Sequence, residues 1–281
     1  MTATTAGHAG RTYVYEDSGE GPLVVLLHGF PDTPSGWDAT RAELDAAGYR
    51  TVAPWLRGYH PDTIVDGLGY GGTELARDAL GLLDALEAER AVLVGHDWGA
   101  AIAYRAAALA PERVSALCAV AIPHPWTLRP SPALAWRARH FLTLRLPGAE
   151  RMVRRDDFAW LDGIYSRWAP DWAGPGRDSS LRDVKAAFSD PRVLHAALGY
   201  YREVERGGVE RLAPPALLFA GGEDMMDPET FTRSREAFDS GCEVVIAPGA
   251  GHWPHREAAD LFHERLLGFL GGLRDGGGPP A

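Results

Sequence analysis

Cysteine is nearly absent: Cys118 and Cys242 are the only two. Each falls in an apolar segment that reads as a buried strand, and neither has metal-ligand spacing. The pair therefore reads as small core residues and not as a disulfide or a metal site. Lysine is scarcer, with Lys185 alone among 28 basic residues. Beside so much alanine and glycine, this is a coding bias toward arginine and carries no function. The apolar run "PLVVLL" is far too short to span a bilayer. The first twenty residues contain no basic stretch followed by an apolar one, so no secretory leader is expected and a cytoplasmic location is predicted. Acids outnumber bases, and the net charge of -10 argues against DNA, RNA or an anionic membrane as the main partner.

What is present is enough apolar material for one large core. The chain has 281 residues, of which 46% are hydrophobic, which allows a single globular domain with an inserted piece. Short apolar runs at 11–17, 23–28, 50–54, 91–95, 115–122, 216–221 and 242–248 predict strands. Helical patterns at about 36–47, 73–89, 98–110, 229–239 and 255–270 lie between them. In the second of these, Leu75, Ala79, Leu82, Leu83 and Leu86 share one stripe. Such alternation predicts an α/β fold with a mostly parallel sheet covered on both faces. Residues 125–208 break the pattern. They hold no convincing buried strand and carry Trp126, Trp136, Trp160, Trp168 and Trp172, five of the nine tryptophans. An insertion at the carboxyl end of a parallel strand lies over the place where such sheets bind ligands, so it reads as a lid. The tail at 271–281, rich in glycine and proline, is expected to fray.

Four motifs carry chemistry. The first is Gly95-His96-Asp97-Trp98-Gly99, straight after "AVLV" and before "AAIAYRAAALA". It has the form of a strand-to-helix nucleophile elbow with aspartate where a serine is usual. A carboxylate there stands at a helix N-terminus, whose field favours an anion, and can act as a covalent nucleophile. The competing reading is that Asp97 only caps the helix. The second is His28-Gly29-Phe30-Pro31 after "LVVLL". With it, the backbone N–H groups of Phe30 and Trp98 form an oxyanion hole. The third is "GAGHWPH", which places His252 just beyond the last strand. The fourth is "GGEDMMDP" after the penultimate strand. Asp224, with Asp227 behind it, is the acid expected to hold the His252 ring; both also read as turn or helix-cap residues. The order nucleophile, acid, histidine is that of the hydrolase triad.

Taken together, "HGFPD", "GHDWGA", "GGEDMMDP" and "GAGHWPH" resemble the alpha/beta-hydrolase superfamily, and within it the epoxide hydrolase branch, over nearly the whole chain. The resemblance implies a hydrolase core over 1–124 and 209–281 with a helical cap over 125–208. It implies that an epoxide is converted to a vicinal diol through an ester on Asp97, with no cofactor and no metal. His252, oriented by Asp224, is the implied general base. The branch supplies two lid side chains, usually both tyrosines, that hydrogen-bond the epoxide oxygen. "AALGYYREV" resembles the second-tyrosine segment and implies Tyr201, with Tyr200 as its neighbour. Counting six residues back from Leu146-Pro147-Gly148 lands on His140 where the first tyrosine is expected. A neutral imidazole can donate one N–H, so a His140/Tyr201 pair is chemically sound; the alternatives are Tyr201 alone, or Tyr201 with Tyr165. Trp98, Phe30, Trp136 and Tyr200 are the implied substrate contacts, and the implied partners are a small apolar or aromatic epoxide and water, with no nucleic acid or membrane, the protein being a monomer or homodimer. Two other readings stay open. A haloalkane or haloacid dehalogenase shares the aspartate nucleophile, but such relatives often carry Asn where Phe30 stands or Arg where Trp98 stands. The last reading is a non-catalytic protein of the same fold that binds a small ligand under its lid.

Overall fold

The computed structural model of the protein describes residues 3–67, 69–205, 207 and 209–274; the end of the predicted frayed tail lies outside them. Eight strands form one sheet: β1 (Thr4–His8), β2 (Arg11–Ser18), β3 (Leu23–Leu27), β4 (Arg50–Pro54), β5 (Ala91–His96), β6 (Val114–Val120), β7 (Ala216–Gly221) and β8 (Cys242–Ala247). Their spatial order is β1-β2-β4-β3-β5-β6-β7-β8. β1 and β2 pair antiparallel, as do β2 and β4, and the remaining neighbours are parallel. The first strand was not legible in the sequence: "TTAGH" has no apolar alternation and is largely exposed.

The pleat explains how one run feeds two cores. Leu23, Val25 and Leu27 pack on one face of the sheet, and Val24 and Leu26 on the other. Helices cover both faces. α1 (Asp38–Ala46) and α11 (Ala259–Arg274) contribute Leu44, Phe262, Leu266, Phe269 and Leu270 to one core. α2 (Gly72–Ala85) and α3 (Trp98–Leu109) cover the other with Leu75, Ala79, Leu82, Leu83 and the alanines of α3. Cys118 is buried in β6, whereas Cys242 is only half-buried, because β8 is an edge strand with one free side. Both thiols are free.

Between β6 and β7 the described residues form no strand beyond an isolated bridge at Leu212, and their α-helices are α4 (Pro132–Arg137), α5 (His140–Thr143), α6 (Ala149–Trp168), α7 (Pro175–Phe188) and α8 (Pro191–Arg202). α6 is broken at Arg155–Phe158, where three successive residues take positive φ, so it runs as two helices across a kink. Leu144, Val153, Leu161, Ile164, Val184, Phe188, Leu194 and Leu198 join the same core as the α2–α3 face. The two short helices α9 (Pro228–Ser234) and α10 (Pro254–Glu257) follow β7 and β8. No helix among the described residues is long and apolar enough to cross a membrane.

This order places the site. From β3 the chain steps to β4 on one side, then returns to β5 on the other. The crevice beyond the carboxyl ends of β3 and β5 is therefore the topological switch point, where open parallel sheets take their ligands.

Candidate active site

β5 ends at His96 and α3 begins at Trp98, so Asp97 alone makes the turn between them. Its backbone sits at φ 50°, ψ -116°, a strained conformation for a residue with a side chain, costing about 1–3 kcal/mol. The chains on either side must come very close. A Cβ on Gly99 would stand 2.1 Å from the Leu27 carbonyl oxygen, and one on Gly29 would stand 2.4 Å from the Asp97 Cβ. Only glycine fits at either place. The turn directs the Asp97 carboxylate away from α3, and it makes no cap hydrogen bond to that helix. Instead Oδ1 accepts the Phe30 backbone N–H at 2.9 Å. The capping alternative is thereby displaced.

The Phe30 loop has its own support. His28 Nε2 accepts the Leu56 N–H at 3.2 Å, so Nδ1 carries the proton and donates to the Gly29 carbonyl at 3.0 Å. Burial pushes the His28 pKa down to about 4, which keeps the ring neutral for both bonds.

His252 arrives from the loop after β8. Its backbone N–H donates to the Trp168 carbonyl at 2.8 Å. Glu257 holds the same loop from below, accepting the N–H groups of Gly251 at 2.8 Å and Trp253 at 2.9 Å. His96 Nε2 donates to the His252 carbonyl at 2.8 Å and ties this loop to the elbow. The imidazole Nδ1 donates to Asp224, at 3.0 Å from Oδ1 and 3.1 Å from Oδ2. Nε2 faces Asp97 Oδ2 at 3.5 Å. Asp227 is elsewhere: it caps α9 by accepting the Glu229 N–H. Of the two acids offered by the sequence, Asp224 reaches the ring.

The electrostatics follow from this geometry. Burial works to lower the His252 pKa, but the two flanking carboxylates, Asp224 and then Asp97, overcome it and raise it to about 10. Burial works to raise the Asp97 pKa, and the His252 ring together with the Phe30 N–H turns the net shift downward. At neutral pH His252 is thus an imidazolium held beside Asp224 and Asp97. Solvent separates their roles. The side chains of His252 and Asp224 have no exposed surface, while that of Asp97 is 15% exposed, so Asp97 is the member of the three that an incoming molecule can touch.

Aromatic side chains enclose this carboxylate. Tyr201 of α8 is buried and meets Trp98, Phe30 and Phe141 edge-on, with ring centroids 5.3, 5.1 and 5.0 Å away. Burial, with the Asp97 charge behind it, raises the Tyr201 pKa well above 10, and the Trp98 indole N–H opposes that rise. The phenol is a neutral donor. His140 opens α5 and is buried, 5.8 Å from the Tyr201 ring. Burial lowers its pKa to about 4 despite the counteracting Asp97 charge. Its Nδ1 has no protein partner among the described residues. The structure thus brings Asp97, Asp224, His252, Phe30, Trp98, Tyr201 and His140 to one place.

Three sequence expectations end up elsewhere. Tyr200 donates its hydroxyl to the Arg57 carbonyl at 2.9 Å and packs behind Trp98 against Tyr59 and Tyr70, so its polar end is committed away from Asp97. Trp136 is 68% exposed, because α4 turns its half-buried positions Leu134 and Ala138 inward. It stands on the rim of a groove of about 570 Å³ floored by Trp168 and Asp224. Tyr165 is already engaged, bonding the Pro31 carbonyl at 3.0 Å and Ser180 at 2.9 Å. Sequence reasoning missed Trp168, which lies edge-on to both His252 and His140 at 4.9 and 4.8 Å, and missed Glu257. The signal for Glu257 was an acid four residues beyond a loop that needed its N–H groups satisfied. His60 caps the short helical turn Pro61–Thr63 through its Nδ1.

Asp32, His96 and His255 each place one buried donor atom within 4.8 Å of the others. Arg256 already approaches Asp32 at 3.5 Å, and with a guanidinium there the cluster suits an ion pair better than a metal cation. A separate cavity of about 390 Å³ lies on the far side of Tyr200, lined by Arg11, Trp55, Leu75, Asp78 and Ile102.

The alpha/beta hydrolase family model matches residues 24–265. The chain is similar to an epoxide hydrolase of Caballeronia sordidicola, with 43% identity over 90% of this chain and 89% of that protein. It is 29% identical to epoxide hydrolase A of Mycobacterium tuberculosis, over 90% of this chain and 91% of that one. The crystal structure of epoxide hydrolase A from Mycobacterium thermoresistibile superposes with a TM-score of 0.81 at 27% identity, covering 96% of this chain and 98% of that one.

Proposed function

Because the chain belongs to the alpha/beta hydrolase family and, within it, to the epoxide hydrolase branch, we propose that it hydrolyses an apolar or aromatic epoxide to a vicinal diol, through an ester formed on Asp97. One observation carries this reading. The Asp97 carboxylate is held at Oδ1 by the Phe30 N–H, faces His252 with Oδ2, and is the exposed member of its triad.

In the first step a free Asp97 oxygen attacks an epoxide carbon in line. The C–O bond breaks, and Tyr201 with His140 supplies the hydrogen bonds and the proton that the leaving oxygen requires. Both donors are neutral at physiological pH for the reason given by their burial. In the second step His252 takes a proton from water, and the hydroxide so formed attacks the ester carbonyl carbon. The Phe30 N–H already lies on Oδ1, where negative charge then develops, and the Trp98 N–H is the second donor of the oxyanion hole. Collapse of the tetrahedral species breaks the ester, and the leaving alkoxide takes the proton of the newly added hydroxyl, which releases the diol and restores the Asp97 carboxylate beside a protonated His252. A serine in place of Asp97 would form an ether with no carbonyl to attack, which explains a carboxylate on this elbow.

Charge times the two steps. In the resting protein Asp97 and Asp224 together hold His252 protonated. Esterification removes the Asp97 charge, so the imidazole gives up its proton, which replaces the one Tyr201 lost to the epoxide oxygen, and the ring enters the second step as a neutral base. Residues 125–208 act as the lid that keeps bulk water from this exchange. Single turnover in water enriched with heavy oxygen tests the scheme. Attack at the ester carbonyl leaves label in the protein, at Asp97. Label found in the diol alone would rule out the ester.

A further inference from the structure

We propose that the outer face of the α4–α5 segment docks the protein on an anionic lipid surface. Helical hydrogen bonds run almost without a break from Ser131 to Leu146, so positions spaced by three or four share a face. His140 and Leu144 form the buried face, toward Tyr201 and Trp168. The opposite face carries Arg139, Leu142, Arg145 and Leu146, and Trp136, one turn before His140, stands exposed at its margin on the groove rim.

That outer face is unusual in two ways. Trp136, Leu142 and Leu146 are 68%, 70% and 60% exposed, and Trp126 at the head of the segment is 55% exposed. Large apolar groups gathered in this way mark an interaction surface. The charge is equally uneven. From Trp126 to Gly148 there are four arginines, Arg129, Arg137, Arg139 and Arg145, and no acid, within a chain of net charge -10. Arg137 and Arg139 donate to the carbonyls of Met225 and Trp136, and Arg139 lies over the Trp136 ring at 4.4 Å. Glu223 and Asp227 line the groove beside Arg137 and Arg139, while Arg129 and Arg145 stand exposed farther along the chain.

Tryptophan and leucine tips that enter the acyl boundary, ringed by guanidinium groups at headgroup level, are the make-up of an interfacial anchor. The net charge of the whole chain hides this patch because it averages over surfaces that never meet the bilayer. An apolar epoxide dissolved in lipid would meet the lid directly at this face; the docking itself is independent of the catalytic reading.

Co-sedimentation of the full-length protein with phosphatidylcholine vesicles, with and without phosphatidylserine, tests the proposal without substrate. Retention is expected on the phosphatidylserine vesicles and is expected to fall as salt rises. Replacing Arg129→Gln and Arg145→Gln together should weaken it about 25-fold, from roughly fivefold per arginine at such a surface. Leu142→Ser with Leu146→Ser should weaken it at least about tenfold. Thermal melting checks that these exposed substitutions leave the fold intact, and the salt dependence of the unaltered protein stands even if they do not. No retention on either vesicle, or retention unaffected by salt and by both double variants, overturns the proposal. So does a dimer in light scattering that the leucine variant dissociates, because a second copy would then cover this face.

Discussion

Replacing Asp97 by asparagine keeps the shape of the side chain and removes its charge, much as esterification would. The imidazole should respond strongly. Nε2 of His252 lies 3.5 Å from Asp97 Oδ2. At an effective dielectric of about 20, unit charges that close interact by about 4–5 kcal/mol, or about three pKa units. Asp97 is 15% exposed, and water reaching it screens part of this. A fall of between about one and three units is expected, from about 10 toward the ordinary histidine value. Titration of the His252 ring carbon by NMR in the two proteins measures it. The same linkage sets the pH dependence of stability. A histidine raised on folding stabilises the protein fully below its unfolded pKa and loses that contribution as pH rises through the folded value. The unaltered protein should therefore lose more stability between about pH 6.5 and 10 than the Asp97→Asn variant. A His252 pKa that moves by less than about half a unit would refute the claim that the nucleophile's charge governs the base.

Two further outcomes are expected. Tyr201→Phe should lower kcat/KM for an epoxide by about 100-fold, the smaller end of the usual general-acid effect because His140 remains; a rate within about twofold of the original would show that Tyr201 only packs. Glu257→Ala removes a half-buried carboxylate that accepts two backbone N–H groups of the His252 loop. It should cost about 3 kcal/mol in urea unfolding, at 1.5–3 kcal/mol per hydrogen bond to a charged group. It should also reduce turnover, since the loop carries His252, and Glu257→Gln should restore part of both.

Much of the fold could be read from the chain because periodicity is a local property. The runs around Val25, Leu93 and Leu218 announce buried parallel strands, and the stripe of α2 announces its covered face. β1 escaped because its backbone pairing with β2 needs no apolar side chains. Within the site, Asp97 and His252 were visible through the glycines and the turns around them. The choice between Asp224 and Asp227 was not, since they stand three residues apart in one loop and both suit a turn. Their fates separate in space: one side chain meets the imidazole 28 residues on, the other caps α9.

Residue type and order alone determined that a carboxylate replaces a hydroxyl at a strand-to-helix elbow, with an acid and a histidine following at later strand ends. Proximity was decided only by folding. The crossing from β3 to β4 and back to β5 carries Phe30 onto Asp97, 67 positions apart, and α6 carries the Trp168 carbonyl onto the His252 N–H. No pattern within a window of sequence encodes such contacts. They arise when hydrophobic faces from distant segments are buried together, and the charges of Asp97, His252 and Asp224 acquire their shifted proton affinities only in the resulting dry interior.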